Sequence, residues 1–318
     1  MLLANKLVLS LSCLPITGPY AHMKQPAAYP PPGFVLISRG RINIAVRDEY
    51  RELLLNQGIE SPEKLIDARP KGIAAHTGRG INPSIPIQGR DQENMVIRKY
   101  RRGGLLRFFL PDVYWGGHRP FRELCVTAEA LQRGIPTVSV LAAVTEQVAG
   151  PLYRGYLISR ELPSSRDLPD VLKSLAMSPA QERFTKKRAI LTQVAQAIRS
   201  MHDRGFYHGD LNLKNILLAA HPEDTVYILD WDKSWYKEKL SQAERSRNVL
   251  RFCRSMAKLK EKGLPFTERD QLYFLRAYWG DDKNMKKRLR RDFVRMKLSL
   301  GLRKMRWKIE KVFDRKQQ

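Results

Sequence analysis

The stretch that most constrains this chain runs His208-Gly209-Asp210-Leu211-Asn212-Leu213-Lys214-Asn215-Ile216-Leu217-Leu218 and resumes at Tyr227-Ile228-Leu229-Asp230-Trp231-Asp232. It reads as a turn of polar groups, a short apolar strand, a second turn, and an apolar strand that ends in carboxylates. Asp210 and Asn215 stand five residues apart, and Asp230 closes the second strand. Phosphoryl transfer from ATP needs these groups. One carboxylate accepts the proton of the attacking hydroxyl, and an amide and a second carboxylate hold Mg²⁺ on the phosphates.

The five-residue offset is that of the kinase catalytic loop, His-Arg-Asp-x-x-x-x-Asn, and Asp230 takes the place of the aspartate in Asp-Phe-Gly. Two departures stand out. Gly209 replaces the arginine, and Asp230-Trp231-Asp232 lacks the glycine. His-x-Asp alone is an ordinary surface turn; the asparagine, the two strands and the strand-final acid carry the reading. Asp210 is therefore the candidate general base, and Asn215 and Asp230 are the candidate Mg²⁺ ligands. Asp232 either assists the metal or bonds to the following turn, and the second reading is preferred.

Upstream, Phe34 to Ile37 and Ile42 to Val46 read as short strands, and Tyr50 to Asn56 as a brief helix. Gly78-Arg79-Gly80 is a candidate hairpin tip over ATP, because glycines let backbone N–H groups approach phosphate closely. A plain hairpin turn is the other reading. Asn94 to Tyr100 forms the next strand, in which Val96-Ile97-Arg98-Lys99 mirrors the Val-Ala-Ile-Lys that places a cation on the α- and β-phosphates. Strand alternation sends Arg98 and Lys99 to opposite faces, so only one reaches the nucleotide. A helix from Arg119 to Arg133 carries Glu123, the acid that would pair with that cation.

Strands at Pro136 to Val144 and Tyr156 to Glu161 follow, on the side where backbone groups would meet adenine. Phe184 to Asp203 repeats Ile190, Leu191, Val194, Ala197, Ile198 and Met201 at a helical period and stops at Gly205. Ser241 to Lys260 and Thr267 to Trp279 are further helices. The fold class expected is α+β: a bilobal, protein-kinase-like fold with a small β-rich lobe and a mainly helical lobe. The boundaries expected are a disordered or mis-started tail over 1–33, lobes over 34–160 and 161–282, and a basic amphipathic segment over 283–318.

Several blocks resemble the lipopolysaccharide kinase family, most closely the 3-deoxy-D-manno-octulosonic acid (Kdo) kinases. They are Arg98-Lys99-Tyr100-Arg101-Arg102-Gly103-Gly104-Leu105, Asp112-Val113-Tyr114, Arg119-Pro120-Phe121-Arg122-Glu123 and Gly134-Ile135-Pro136. Three more are the His208 to Leu218 turn and strand, Leu229-Asp230-Trp231-Asp232-Lys233, and Asn248 to Met256. The first block discriminates best, since general protein kinases have nothing similar after their third strand. The family register puts Arg98 on ATP where the plain kinase register puts Lys99, and both stay candidates. The resemblance implies transfer of phosphate from ATP to a sugar hydroxyl, Kdo or a core heptose, of lipid A-linked inner core. It also implies a peripheral position on the cytoplasmic face of the bacterial inner membrane.

Charge agrees with an anionic partner. The net charge is +25 over 318 residues, with a pI near 10.2. Such a field draws nucleic acid, acidic headgroups or phosphorylated substrates, and does not choose among them. From Lys283 to Lys316 basic residues alternate with Leu289, Phe293, Met296, Trp307 and Phe313. That segment either lies on a membrane surface or packs its apolar stripe on the helical lobe. No apolar run reaches the roughly 20 residues that span a bilayer. Three scattered cysteines make neither a disulfide framework nor a zinc pattern, which implies a reducing compartment. Two rivals are an atypical protein or small-molecule kinase and, from pI alone, a nucleic-acid-binding pseudokinase. No RNA-binding signature accompanies the charge, so no nucleic-acid partner is expected. Oligomeric state is not legible.

Overall fold

The computed structural model describes residues 30–68, 75–77, 81–101, 112–219, 225–261, 263–264 and 266–280, and single positions at 284, 287, 290, 291 and 294. Most of the expected tail over 1–33 and of the basic segment over 283–318 lies outside the described residues, as do Gly78, Arg79 and Gly80. The chain divides into two compact units. The first takes residues up to Ser164 together with Leu229–Lys237, and the second takes Ser165–Ile228 and the residues from Glu238 on.

The first unit is an antiparallel sheet. Its strands are β1 (Phe34–Arg39), β2 (Ile42–Arg47), β3 (Ala75–Thr77), β4 (Ile81–Pro86), β5 (Asn94–Lys99), β6 (Tyr114–Trp115), β7 (Val140–Ala149) and β8 (Leu152–Arg160). They run in the order β1-β2-β7-β8-β5-β4-β3, with β6 also on β8. The first four residues of the strand expected from Pro136 are irregular. Pro136 has no N–H to give a ladder, and pairing begins at Val140 and runs on to a hairpin with β8.

Each face of this sheet carries its own core. One face packs Met95, Ile97, Tyr156 and Ile158 with Leu54 of α1 (Arg51–Asn56), Ile59, and the edge of α2 (Pro62–Asp67). The other packs Tyr100, Ala143 and Leu157 against Phe121, Leu124 and Cys125 of α3 (Arg119–Gln132). Gly155 makes the approach of α3 possible. A Cβ there would sit 2.6 Å from the Pro120 ring, so any side chain would push the start of the helix off β8.

The second unit is mainly helical. It holds β9 (Ser165–Asp167), α4 (Leu168–Leu175), α5 (Ala180–Asp203), β11 (Ile216–Ala219), β12 (Thr225–Ile228), α6 (Gln242–Lys260) and α7 (Glu268–Trp279), with β10 (Phe206–Tyr207) before the polar turn. β11 pairs with β12 and β9 in a small antiparallel sheet. On α5, Leu191, Val194, Ile198 and Met201 are buried, and Gly205 ends the helix at φ +83°. Lys187 reaches Asp270 of α7 at 2.8 Å, a pair all but removed from water. Both α6 and α7 begin in reciprocal capping boxes, Ser241 with Glu244 and Thr267 with Asp270. The architecture is therefore α+β, as expected.

Candidate active site

In the second unit the polar turn is stitched through its backbone. The carbonyl of Asp210 accepts from Asn212 Nδ2 at 2.8 Å and from Asn215 Nδ2 at 2.9 Å. Asn212 Oδ1 accepts from the Lys214 N–H, capping the single 3-10 turn Leu213–Asn215. The imidazole of His208, fully buried, takes the Asp210 N–H on Nδ1 at 3.2 Å. Asp210 and Asn215, five apart, are thus locked together.

Helix α6 supplies the template for this turn. Asn248 brackets His208: its Oδ1 accepts the His208 N–H at 3.2 Å, and its Nδ2 donates to the His208 carbonyl at 2.7 Å. Three residues on, Arg251 Nη2 donates to Asp210 Oδ1. Ser255 Oγ accepts the Leu213 N–H at 3.2 Å. Positions 248, 251 and 255 fall on one helical face. In the sequence these residues carry no motif of their own; their spacing of three and four is the signal that puts them on one face.

Asn248 also fixes His202. Its Oδ1 accepts from His202 Nε2 at 2.9 Å, which leaves Nδ1 to accept from the Tyr278 hydroxyl at 2.6 Å. Burial, with the charges of Arg245 and His208, outweighs the Asn248 bond and the Asp203 charge and lowers the imidazole to about 4. The unfolded chain takes up this proton near pH 6.5, so between about 6.5 and 4 it binds more protons than the folded protein. Stability from this site is complete above about pH 6.5 and is lost as pH falls toward 4, by on the order of 3 kcal/mol. Urea unfolding at stepped pH tests this: His202→Gln should flatten that part of the pH profile. An unchanged slope would remove His202 as its source.

In the first unit, face parity separates the two cation candidates. Arg98 points to the α3 side, where Nη2 meets Glu123 at 2.5 Å and Nη1 meets Asp230 Oδ1 at 2.7 Å. Tyr100 donates its hydroxyl to Glu123. Lys99 points to the α2 side and pairs with Glu63 at 2.9 Å and Asp112 at 2.7 Å, away from Glu123. Burial opposes charge on Arg98, and Glu123, Tyr100 and Asp230 more than offset it. Burial likewise pushes the Glu123 carboxyl up to about 7, against the pull of Arg98, with Asp230 and Asp232 adding to the rise.

The segment that carries Asp230 is clamped on three sides within this unit. Trp231 is buried and donates Nε1 to Thr137 Oγ1 at 2.9 Å. Asp232 takes both arms of Arg119, with Nε at 3.0 Å, and the bond to the next turn expected for it is not found among the described residues. Arg119 in turn lies over the rings of Tyr100 and Tyr114 at 4.8 and 4.5 Å. Asp230 itself sits at φ +63°, a conformation that few residues other than glycine adopt, held there by these neighbours.

Mg²⁺ is a hard cation that takes oxygen ligands and commonly uses one or two protein groups beside phosphates and water. Asn215 Oδ1 accepts no hydrogen bond among the described residues, and Asp230 brings a carboxylate. No cluster of three or more His, Cys, Asp or Glu forms among the described residues. β3 and β4 pair with Thr77 opposite Ile81, and Gly78-Arg79-Gly80 between them lies outside the described residues.

A family model described as the lipopolysaccharide kinase (Kdo/WaaP) family matches residues 82–278. A 3-deoxy-D-manno-octulosonic acid kinase of Vibrio cholerae serotype O1 is 30% identical over 187 residues, 55% of this chain and 73% of that protein. The protein of that name from Xylella fastidiosa (strain M12) is 32% identical over 190 residues, 58% of this chain and 71% of the other. A solved structure described as WaaP in complex with acyl carrier protein aligns at a TM-score of 0.48 and 15% identity, covering 80% of this chain and 98% of that one.

Proposed function

The chain belongs to the lipopolysaccharide kinase (Kdo/WaaP) family, and on that premise we propose that it phosphorylates a hydroxyl of Kdo, or of a core heptose, in lipid A-linked inner core, with ATP as donor. It is a phosphotransferase with an alcohol group as acceptor. The observation that carries the finer reading is the locked pair Asp210 and Asn215, with the Asp210 carboxylate left half-open to solvent.

Asp210 Oδ2 takes the proton of the acceptor hydroxyl as that oxygen bonds to the γ-phosphorus. The bond from phosphorus to the bridging oxygen breaks, and ADP leaves with the electron pair. Arg98, oriented by Glu123, contacts the α- and β-phosphates. Asn215 and Asp230 would hold Mg²⁺, which when bound supplies charge neutralisation on the phosphates. Gly78, Arg79 and Gly80 remain the proposed cover for the phosphates, with backbone N–H groups as donors.

Lys99 is left outside this set because it faces α2, with Glu63 and Asp112, on the opposite side of the strand from Glu123. Arg98→Ala should therefore raise the KM for ATP about tenfold or more, while Lys99→Ala should leave it within about twofold and lower the melting temperature instead. Steady-state rates with ATP varied distinguish the two. Equal small effects on KM would remove both from the nucleotide site.

A peripheral position on the anionic cytoplasmic face of the inner membrane is part of the proposal. No helix among the described residues is long and apolar enough to cross a membrane. Basic groups near such a surface contribute about 1 kcal/mol each. Arg291 of the basic segment donates to Ser246 Oγ on α6 at 3.0 Å, so this position is held by the helical unit. Incubation with ATP and inner-core lipid A in anionic vesicles, with mass spectrometry of the sugar, tests the function. Phosphate on Kdo or heptose is the expected result, with membrane binding that weakens as salt rises. Phosphate on protein alone would replace this reading with that of a protein kinase.

A further inference from the structure

We infer that Arg251 reads an acidic group on the reacting sugar, and that the acceptor is therefore a carboxylate-bearing sugar rather than a neutral one. This deepens the function proposed above and rests on Asp210 being the base. Arg251 is three residues beyond Asn248 on α6, and its guanidinium lies against Asp210 Oδ1. The two side chains are 44% and 34% exposed, open enough for a ligand to reach both. A guanidinium offers five N–H donors in a planar fork. Asp210 engages one nitrogen, and among the described residues no other acceptor takes the rest. On the Asp210 side, Oδ2 accepts no hydrogen bond among the described residues.

A basic oxygen and a fork for an anion are thus presented side by side. An ion pair between two half-exposed groups adds little to stability, because water solvates each of them well. Stability of the fold therefore gives no reason for an arginine here. Binding an acid explains it. A carboxylate on the sugar draws donors of Arg251 toward itself, the hold on Asp210 slackens, and the sugar is fixed at two points: its acid on Arg251 and its hydroxyl at Asp210 Oδ2. An octulosonic acid carries such a carboxylate, whereas a plain heptose does not.

The test compares two acceptors, a lipid A precursor bearing free Kdo and the same molecule with that carboxylate as its methyl ester. With the wild type, esterification should lower kcat/KM about tenfold or more, chiefly through the acceptor KM. Arg251→Ala should show that loss on the free acid and no longer distinguish acid from ester, with the KM for ATP unchanged. Arg251→Lys keeps the charge without the fork and should keep part of the discrimination; it carries the comparison if the alanine variant turns over too slowly. Discrimination that survives in Arg251→Ala would overturn the inference, as would a fall in kcat with the acceptor KM unchanged. The acid-to-ester ratio is read without any change at Asp210, so a failed base assignment shows itself separately, in an active Asp210→Ala.

Discussion

Asp210→Ala is expected to reduce phosphoryl transfer by about 10²- to 10⁴-fold while the protein stays folded. Both halves of that statement come from where the bonds of the turn go. The hydrogen bonds that hold it include those to the Asp210 backbone carbonyl, from Asn212 and Asn215, that of the Asp210 N–H to His208, and those of Asn248 to the backbone of His208. None of them uses the Asp210 carboxylate. Among the described residues the side chain has one ion pair, to the half-exposed Arg251, and pairs of that kind are worth about 0–1 kcal/mol. Alanine therefore leaves the turn in place and removes the proton acceptor. Single-turnover rates alongside thermal melting check it. A purified variant that keeps more than about a tenth of wild-type transfer would show that Asp210 is not the base.

The turn could be read from sequence because its meaning is local. Asp210 and Asn215 are five apart, and one short loop brings the amide back to the aspartate carbonyl. Helices α3, α5, α6 and α7 were legible for the same reason, since an apolar stripe repeats within a few residues. The two-residue β6 was not, because so short a strand has no period to detect. The strand expected from Pro136 was misplaced at its start, since an apolar run does not reveal where ladder pairing begins.

The remaining site geometry depends on pairs far apart along the chain. Arg98 and Asp230 are 132 residues apart, and Arg119 and Asp232 are 113 apart. No spacing rule encodes such meetings. The choice between Arg98 and Lys99 shows the difficulty. Alternation says that the two diverge, but which one meets Glu123 depends on which face α3 covers. Met95 and Ile97 share the parity of Lys99 and pack with α1, which leaves Arg98 for the α3 side. Asn248 to Ser255 lay within an expected helix, yet only the fold shows that this face lies under the polar turn.

Asp230→Asn should abolish turnover, whereas Asp232→Asn should mainly cost stability. The two acids stand two residues apart in the same clamped segment and have different work. Asp230 meets Arg98, which stays paired to Glu123 when the charge at 230 is removed, so the asparagine variant should fold. In its proposed role it would lose an anionic oxygen ligand for Mg²⁺, the strongest kind of donor for a hard cation, and with it about 10²-fold or more of the rate. Asp232 instead takes both arms of Arg119, which is stacked over Tyr100 and Tyr114 at the start of α3. Replacing that carboxylate with an amide leaves a partly buried guanidinium short of its partner. A loss of about 1–3 kcal/mol in stability follows, with turnover within about tenfold of wild type once the protein is folded. Activity measured against Mg²⁺ concentration adds a second readout. Asp230→Asn should demand far more metal for whatever rate remains, and Asp232→Asn should follow the wild-type curve. The reverse ranking, with Asp232→Asn inactive and metal-hungry while Asp230→Asn turns over, would transfer the ligand role from Asp230 to Asp232.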